Sequence, residues 1–296
     1  MRLLVTGANG QVGWELRRTL APLGEVLALD RAACDLTRPA QAARAVRDAK
    51  PDIIVNAAAY TAVDKAETEE PLATLINGAA VGEIAIAARK LDALFIHFST
   101  DYVFDGKKQA PYSEDDPPHP LNAYGRSKLA GERAIASSGG SYLVLRTSWI
   151  YSDRGHNFLR TILRLAAERD ELRIVADQIG APTWARQLAE VTALVAGKAA
   201  GEKAAGVFAS GLFHLTAGGA TSWHGFAQAI VDNAARGGLL GRAPRVVPIA
   251  SAEYSTPASR PRNSRLAMDR IRARFGIAPA PWREALNACM ADLHFP

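Results

Sequence analysis

Cysteine is nearly absent from this chain. Cys34 and Cys289 are the only two among 296 residues. They form neither a CxxC pair nor a metal-ligand spacing, so no disulfide framework or zinc site is expected, and a reducing compartment is. No uninterrupted apolar run approaches the ~18 residues of a membrane span, so no membrane partner is expected. There is no block of five basic residues and no basic stripe interleaved with aromatics. That removes the usual footprint of a nucleic-acid groove. The net charge is a modest +5, with its arginine excess in the last third of the chain. Such an excess suits an anionic substrate, or simply a solvated surface. The sequence enters a strand at once with Leu3-Leu4-Val5, leaving no room for a signal peptide, and a cytoplasmic location is expected.

What is present is an ordinary globular composition, 48% hydrophobic and 22% charged. The length allows one large domain or two intimate ones with ample core. Gly7, Gly10 and Gly13 follow the first strand and open a helix with apolar period Val12, Leu16, Leu20. Glycine permits a tight turn and close approach of backbone to a pyrophosphate, which sits on the helix N-terminus. The spacing is GxxGxxG rather than GxGxxG, so a purely structural glycine turn is the competing reading. Asn9, Gln11 and Val12 fall in the same loop. Val26 to Asp30 reads as a second strand. An acid at its end, Asp30, suits the adenosine ribose of NAD, while the adjacent Arg31 suits a 2′-phosphate. The choice between NADH and NADPH stays open. Asp35-Leu36 reads as an adenine-side contact or as a cap for a helix over 39–49.

Strand and helix continue to alternate. Residues 52–56 form a third strand leading to Ala58, Ala59, Tyr60, Thr61 and Val63. A helix is expected over 71–91, a fourth strand over 94–98 that delivers Thr100 and Asp101, and a fifth over 142–146. The β-α-β-α order implies a doubly wound parallel sheet, Rossmann-like, covered on both faces. Ligands then bind at the carboxyl ends of the strands.

Between the fourth and fifth strands lies Tyr124-Gly125-Arg126-Ser127-Lys128. On a helix, residues four apart share a face. A phenol titrates near ~10, and an ammonium ~4 Å away is worth about 4 kcal/mol at an effective dielectric of 20. That is enough to bring the phenol towards neutral pH, where acid–base catalysis is efficient. Alone, Y-x-x-x-K is an incidental pair on a surface helix. Its convergence with Gly10, Thr61 and Thr100 at one crevice argues for catalysis.

After residue 150 the alternation loosens. Short strands are expected at 173–175 and 213–215. Helices are expected from 157 to 168, over 184–197, after Ser222 to 236, over 269–275 and from 282, with a loop over 201–211. Residues 1–150 with 184–215 are expected to form the nucleotide-binding part. Residues 151–183 and 216–296 are expected to form a smaller interleaved substrate lobe.

GANGQVG at 7–13, NAAAYTAVDKAE at 56–67, STDYVFDG at 99–106, YGRSK at 124–128, RTSWIY at 146–151 and RPRNS at 260–264 together resemble the dTDP-4-dehydrorhamnose reductases. That is a branch of the extended short-chain dehydrogenase/reductase family. The resemblance runs from residue 3 to about 293. It implies NAD(P)H-dependent reduction of the C4 ketone of dTDP-4-dehydro-6-deoxy-L-mannose to dTDP-L-rhamnose, a precursor of bacterial surface polysaccharides such as the lipopolysaccharide O-antigen. Tyr124 is then the proton donor. Lys128 lowers the phenol pKa and holds the nicotinamide ribose, and Thr100 hydrogen-bonds the C4 oxygen. For Thr100 the competing reading is a strand-end hydroxyl bonding its own backbone. Trp149 contacts the sugar by the same resemblance, or packs in the core. Val63 and Asp101 fall on the substrate side. Asn157, Arg260 and Asn263 are candidates for the diphosphate or thymidine.

Some family members bind magnesium at a dimer contact through acids. Glu15 and Asp292 are positions for part of such a site. Arg186 stands where another acid is expected and argues against it, leaving a monomer or homodimer. Three rivals share the frame. One is a regulatory protein of this fold, which has no need of Tyr124 and Lys128. Another is a nucleotide-sugar epimerase or dehydratase, the latter carrying an Asp-Glu pair where this chain has Asp101-Tyr102. The third is a reductase of another deoxysugar, since facial selectivity rests on substrate pose.

Overall fold

The computed structural model describes residues 1–293. β1 (Arg2–Thr6) leads into α1 (Gln11–Thr19), and β2 (Glu25–Leu29) into α2 (Pro39–Ala49). β3 (Ile53–Asn56) is followed by the single turn α3 (Val63–Ala66). A composite helix comes next, in which α4 (Glu70–Thr74) and α5 (Ala80–Lys90) are joined by the π-helical turn Leu75–Ala79. β4 (Leu94–Thr100), α6 (Ala123–Ser137) and β5 (Tyr142–Thr147) complete the regular half. Beyond it come β6 (Ile150–Tyr151), α7 (Phe158–Glu168), β7 (Glu171–Val175), β8 (Ile179–Gly180), β9 (Thr183–Trp184) and α8 (Ala185–Ala204). β10 (Gly211–His214), β11 (Thr221–Ser222), α9 (Trp223–Arg236), β12 (Arg245–Ile249), α10 (Asp269–Phe275) and α11 (Trp282–Ala291) follow.

Six of these strands form one parallel sheet in the order β10-β5-β4-β3-β1-β2. The chain leaves β1 in one direction towards β2 and returns on its other side as β3. The crevice above β1 and β3 is therefore a topological switch point, where open α/β sheets bind ligands.

The inner strands β1, β3, β4 and β5 are buried on both faces, as parallel sheets require, while the edge strand β2 is partly exposed. On β1, Leu3 and Val5 join the layer beneath α1, α8 and α10, with Val12, Leu16, Leu188, Val195 and Phe275. Leu4 points the other way, to Val46, Val81, Ile84 and Ile135 of α2, α5 and α6. This is the two-residue alternation of a strand made visible in space, and each such fully buried side chain contributes about 1.5–3 kcal/mol. A separate apolar cluster joins α7, α9 and α11 through Leu159, Ile162, Phe226, Ile230, Trp282 and Leu286.

Two expectations need correction. The expected loop over 201–211 is helical as far as Ala204. Good helix formers around Gly201, Ala199 and Ala200 before it and Glu202, Lys203 and Ala204 after it, outweigh the ~1 kcal/mol penalty of one helical glycine. The expected strand near 173–175 is longer and has a partner, β12, in parallel register Arg245↔Glu171 to Ile249↔Val175. The short run Val246-Val247 before Pro248 carries too little alternation to announce a strand. The composite helix Glu70–Lys90 has the length and mean composition of a membrane-crossing helix without being an uninterrupted apolar run, and half of that window is buried within the fold. The last three residues of the expected substrate lobe, 294–296, lie outside the described residues.

Candidate active site

A cavity of about 750 Å³ opens at the switch point. Its floor is the loop after β1. Gly7 has φ +71°, and a Cβ there would lie 2.6 Å from the Ala58 backbone nitrogen. Glycine thus lets the loops leaving β1 and β3 touch. A Cβ on Gly13 would lie 2.1 Å from the Gly7 carbonyl oxygen, so this glycine brings α1 down onto the loop and stays out of the cavity. Gly10 caps α1 without a side chain, and the first turn holds no acid. The helix N-terminus therefore offers unpaired N–H groups and the positive end of its dipole to the cavity, which fits a dinucleotide pyrophosphate. Gly7, Asn9, Gly10, Gln11 and Val12 line it from this side, and Ala58, Ala59, Thr61 and Val63 from the other.

The adenosine end is less simple. Asp30 does not line the cavity. Its carboxylate accepts the backbone N–H groups of Ala32 and Ala33 at 3.0 and 3.1 Å, and the Asn9 amide at 3.4 Å. Arg31 does line it, with its side chain 83% exposed and 3.8 Å from Asp35. Asp35 and Leu36 line it too. Asp35 does not cap α2, whose N-cap is Arg38 with no side-chain bond. It accepts from the Thr37 backbone at 3.0 Å and the Thr37 hydroxyl at 2.8 Å, and these bonds hold its carboxyl below the usual range. Tyr60 faces away, its hydroxyl donating to Glu69 at 2.8 Å.

Tyr124, Thr100 and Asp101 meet in the cavity wall. Asn122 caps α6 by accepting the Gly125 N–H at 2.8 Å. Gly125 is required because a Cβ there would lie 2.2 Å from the Tyr102 carbonyl oxygen. This close approach brings the first turn of α6, with Tyr124, against the exit of β4. The Thr100 hydroxyl donates to Asp101 Oδ1 at 3.0 Å and accepts the Tyr102 N–H at 3.1 Å. Burial raises the Asp101 carboxyl to about 6.

The expected lowering of the phenol pKa is overturned. Tyr124 is pushed up, first by burial and then by the Asp101 charge, with the Thr100 hydroxyl opposing. Lys128 is not among the causes. Its amine is turned into the sheet, 2.6 Å from the Phe98 carbonyl oxygen and 3.1 Å from His97 Nε2. Burial brings it down to about 8.

Among the expected substrate contacts, Trp149 and Asn157 line the cavity. Asn157 is also a clasp: it caps α7 and donates to Gln11 Oε1 at 2.9 Å. Arg260 and Asn263 do not reach this cavity. They line a second one of about 600 Å³, together with Lys107, Lys108, Arg262 and Arg265. There Arg260 pairs with Asp64 at 2.7 Å, and the Asn263 amide donates to the Lys108 and Ala110 carbonyls at 2.7 and 2.8 Å. Glu15 and Asp292 share one counter-ion, Arg186, which lies 3.2 Å from Glu15 and also pairs with Asp292. A guanidinium between the two acids leaves no reason to seat a cation there. Among the described residues no cluster of three metal-ligating side chains occurs.

The chain has close relatives of known kind. A family model described as the RmlD substrate binding domain matches residues 1–295. A dTDP-4-dehydrorhamnose reductase of Burkholderia thailandensis is 56% identical over 297 residues, covering 99% of each chain. That of Escherichia coli K12 is 43% identical, covering 99% of this chain and 98% of its own. This chain belongs to the dTDP-4-dehydrorhamnose reductase family. The crystal structure of the Bacillus anthracis dTDP-4-dehydrorhamnose reductase in complex with NADP superimposes with TM-score 0.89 at 34% identity, covering 98% of this chain and 99% of that one. A Thermus thermophilus UDP-glucose 4-epimerase in complex with NAD has the same fold, with TM-score 0.78 at 20% identity.

For a dTDP-4-dehydrorhamnose reductase, sequence reasoning missed several cavity residues. Tyr102 stands in the STDYVF motif, and its ring meets Tyr124 edge-on at 5.8 Å. Ser148 and His156 lie beside the expected Trp149 and Asn157. Trp223 directly follows the recognised cap Ser222 and stacks on Trp149. Its signal was present, because a tryptophan in the first turn of a capped helix is well placed to face a cleft.

Proposed function

We propose that the chain reduces the C4 ketone of dTDP-4-dehydro-6-deoxy-L-mannose to dTDP-L-rhamnose, with NADPH or NADH as hydride source, in making a surface-polysaccharide precursor. The observation that carries this reading is the meeting of Tyr124 and Thr100 with the Gly7–Gly10 loop in one cavity. A proton donor and a nucleotide cradle thereby share a wall. Residues 1–150 with 184–215 are assigned to the cofactor, and 151–183 with the C-terminal part to the sugar nucleotide. The cysteines Cys34 and Cys289 are both free and buried, in keeping with a cytoplasmic enzyme, acting as a monomer or homodimer.

The dinucleotide, when bound, supplies a hydride to the sugar carbon. Negative charge then grows on the C4 oxygen. Tyr124 keeps its proton at neutral pH because burial and Asp101 raise its pKa, so it is poised to donate rather than accept. The proton passes from the phenol oxygen to the C4 oxygen, and solvent restores it. Thr100 now gives its hydrogen to Asp101. Turning that hydroxyl towards the C4 oxygen supplies a second donor where charge develops. Lys128 is assigned to the ribose hydroxyls of the cofactor, and Trp149 and Val63 to the sugar. The exposed guanidinium of Arg31 beside an occupied Asp30 supports acceptance of a 2′-phosphate. The test is oxidation of NADPH and of NADH by the purified protein with enzymatically prepared dTDP-4-dehydro-6-deoxy-L-mannose, the product identified by NMR. Formation of dTDP-L-rhamnose is expected. Cofactor binding without turnover, or a product of opposite C4 configuration, overturns the assignment.

A further inference from the structure

His97 on β4 is fully buried, and each ring nitrogen has one neighbour. The Asn56 amide nitrogen lies 2.9 Å from Nδ1, and Lys128 Nζ lies 3.1 Å from Nε2. The orientation of Asn56 is determined by its other contacts. Its Oδ1 accepts the Ala58 backbone N–H at 3.2 Å and the Thr6 hydroxyl. Its NH₂ end therefore faces His97, and Nδ1 must accept. A neutral imidazole that accepts at Nδ1 carries its proton on Nε2. That proton points at Lys128, and an ammonium has three donors and no acceptor. An imidazolium would add a second charge to the same conflict, and burial together with Lys128 pushes His97 well below its ordinary pKa.

The conflict disappears when Lys128 is an uncharged amine. Its lone pair accepts from His97 Nε2–H, and one of its own hydrogens goes to the Phe98 carbonyl oxygen at 2.6 Å. One carboxylate, Glu132, opposes this by its charge, but burial outweighs it. Glu132, one turn along α6, gives both oxygens to Arg146 of β5, at 2.8 and 2.6 Å, and one of them also to the Ser99 hydroxyl of β4 at 2.5 Å. Asp101, beyond the end of β4, is held by Thr100 and acts on Tyr124. From the π-helical turn packed on α6, Asn77 contributes only a neutral bond to Ser127.

We propose that His97 is a positioning residue that favours the uncharged form of Lys128 in the cofactor-free protein, so that in mildly alkaline solution capture of the dinucleotide draws up to one proton from solvent onto Lys128. The step is Lys128–NH₂ plus a solvent proton giving Lys128–NH₃⁺, and His97 keeps its Nε2–H throughout. The inference rests on the assignment of Lys128 to the cofactor ribose. It adds a residue, His97, and a proton count to that assignment.

Three measurements test it. In ¹⁵N-histidine-labelled protein without cofactor, the signal lost in His97→Gln is expected to show a neutral ring protonated at Nε2. Protonation at Nδ1 overturns the proposal. Calorimetric titration with NADH near pH 9, in buffers of different ionisation enthalpy, is expected to show proton uptake that fades towards about pH 6.5. NADH affinity should weaken by up to tenfold per pH unit above about 8. The Gln carbonyl in His97→Gln can accept from an ammonium, so uptake near pH 9 should fall by at least half and the affinity profile should flatten. A merely structural role would weaken binding at every pH without moving the profile. Lys128→Met should abolish the uptake. If Lys128→Met retains turnover and NADH affinity, the assignment of Lys128 to the site fails. If Lys128→Met is inactive but the wild type takes up no proton, or His97→Gln takes up as much as the wild type, the role of His97 fails.

Discussion

The Trp149 indole lies flat on Trp223, with ring centroids 3.6 Å apart and planes 9° from parallel. Trp149 has φ +49°, a left-handed backbone that a bulky side chain adopts only when its surroundings enforce it, at about 1–3 kcal/mol. The surroundings are visible. A Cβ on Gly180 would lie 2.5 Å from the Trp149 ring, so the indole fills the space above that glycine. The strain is held at a wall of the cavity, where the proposed function seats the sugar. Trp149→Ala is expected to raise KM for the dTDP-sugar about tenfold, the loss of roughly 1.4 kcal/mol of aromatic contact. Cofactor affinity should stay within a factor of about two. Steady-state kinetics and a fluorescence titration with NADPH check both halves.

Tyr124→Phe removes the proposed proton donor without removing the ring. Turnover should fall at least about 100-fold, as general acid catalysis contributes roughly 10²–10⁴, while NADPH still binds. Asp101→Asn removes a negative charge that helps to raise the phenol. Its Tyr124 titration should move to lower pH, measured as the alkaline ultraviolet difference between Asp101→Asn and the double variant that also carries Tyr124→Phe. An unmoved titration would mean that burial alone sets the phenol.

Stability should depend on acidity in two opposing ways. Burial and the Arg146 charge lower His214 from 6.5 to about 3. Between those values the unfolded chain takes up a proton that the native state refuses, so stability falls as pH falls, by up to ~1.4 kcal/mol per pH unit. His97, also lowered, acts in the same direction below about 6.5. Asp101 is raised from 3.8 to about 6. The native state binds its proton first, so stability is gained as pH falls through that window and lost as pH rises through it. Asp101→Asn should therefore steepen the acid loss between about pH 6 and pH 4 and raise stability at pH 7. Urea denaturation across that range reads the difference directly.

Arg31 stands exposed at the cavity rim, and Asp30 beside it is occupied by its own turn. Arg31→Ala is expected to lower the ratio of kcat/KM for NADPH over NADH by about five- to tenfold, the worth of roughly one exposed charge pair. The NADH value alone should change little.

The parts of this architecture most legible in the sequence were those set by period. The inner sheet strands β1, β3, β4 and β5 are buried on both faces and read as apolar runs. Ser222 announced its helix and does cap it, accepting the Gly225 N–H at 3.0 Å. Spacing also placed Tyr124 and Lys128 on one helix, but it could not show which way an amine bends. Lys128 went to a carbonyl and a histidine on β4, contacts with no sequence proximity to it. The sign of the Tyr124 shift was missed for the same reason, since burial is a property of the packed neighbours. Arg260 and Asn263 lie in a recognisable motif, yet a motif does not say which cavity its loop will line.

The strand order has a consequence in time. β10 closes the outer edge of β5, and α8 covers the face carrying Val12 and Leu16. Both are made after the whole Tyr124 segment has left the ribosome. A nascent chain ending at Thr147 therefore holds five strands with an open parallel edge and an unroofed apolar face, the pairing surface most prone to joining a second chain. The second half of the sequence completes the sheet of the first half as well as shaping the sugar side of the cleft. Synthesis that stalls between the two leaves the nucleotide loop without a finished floor beneath it.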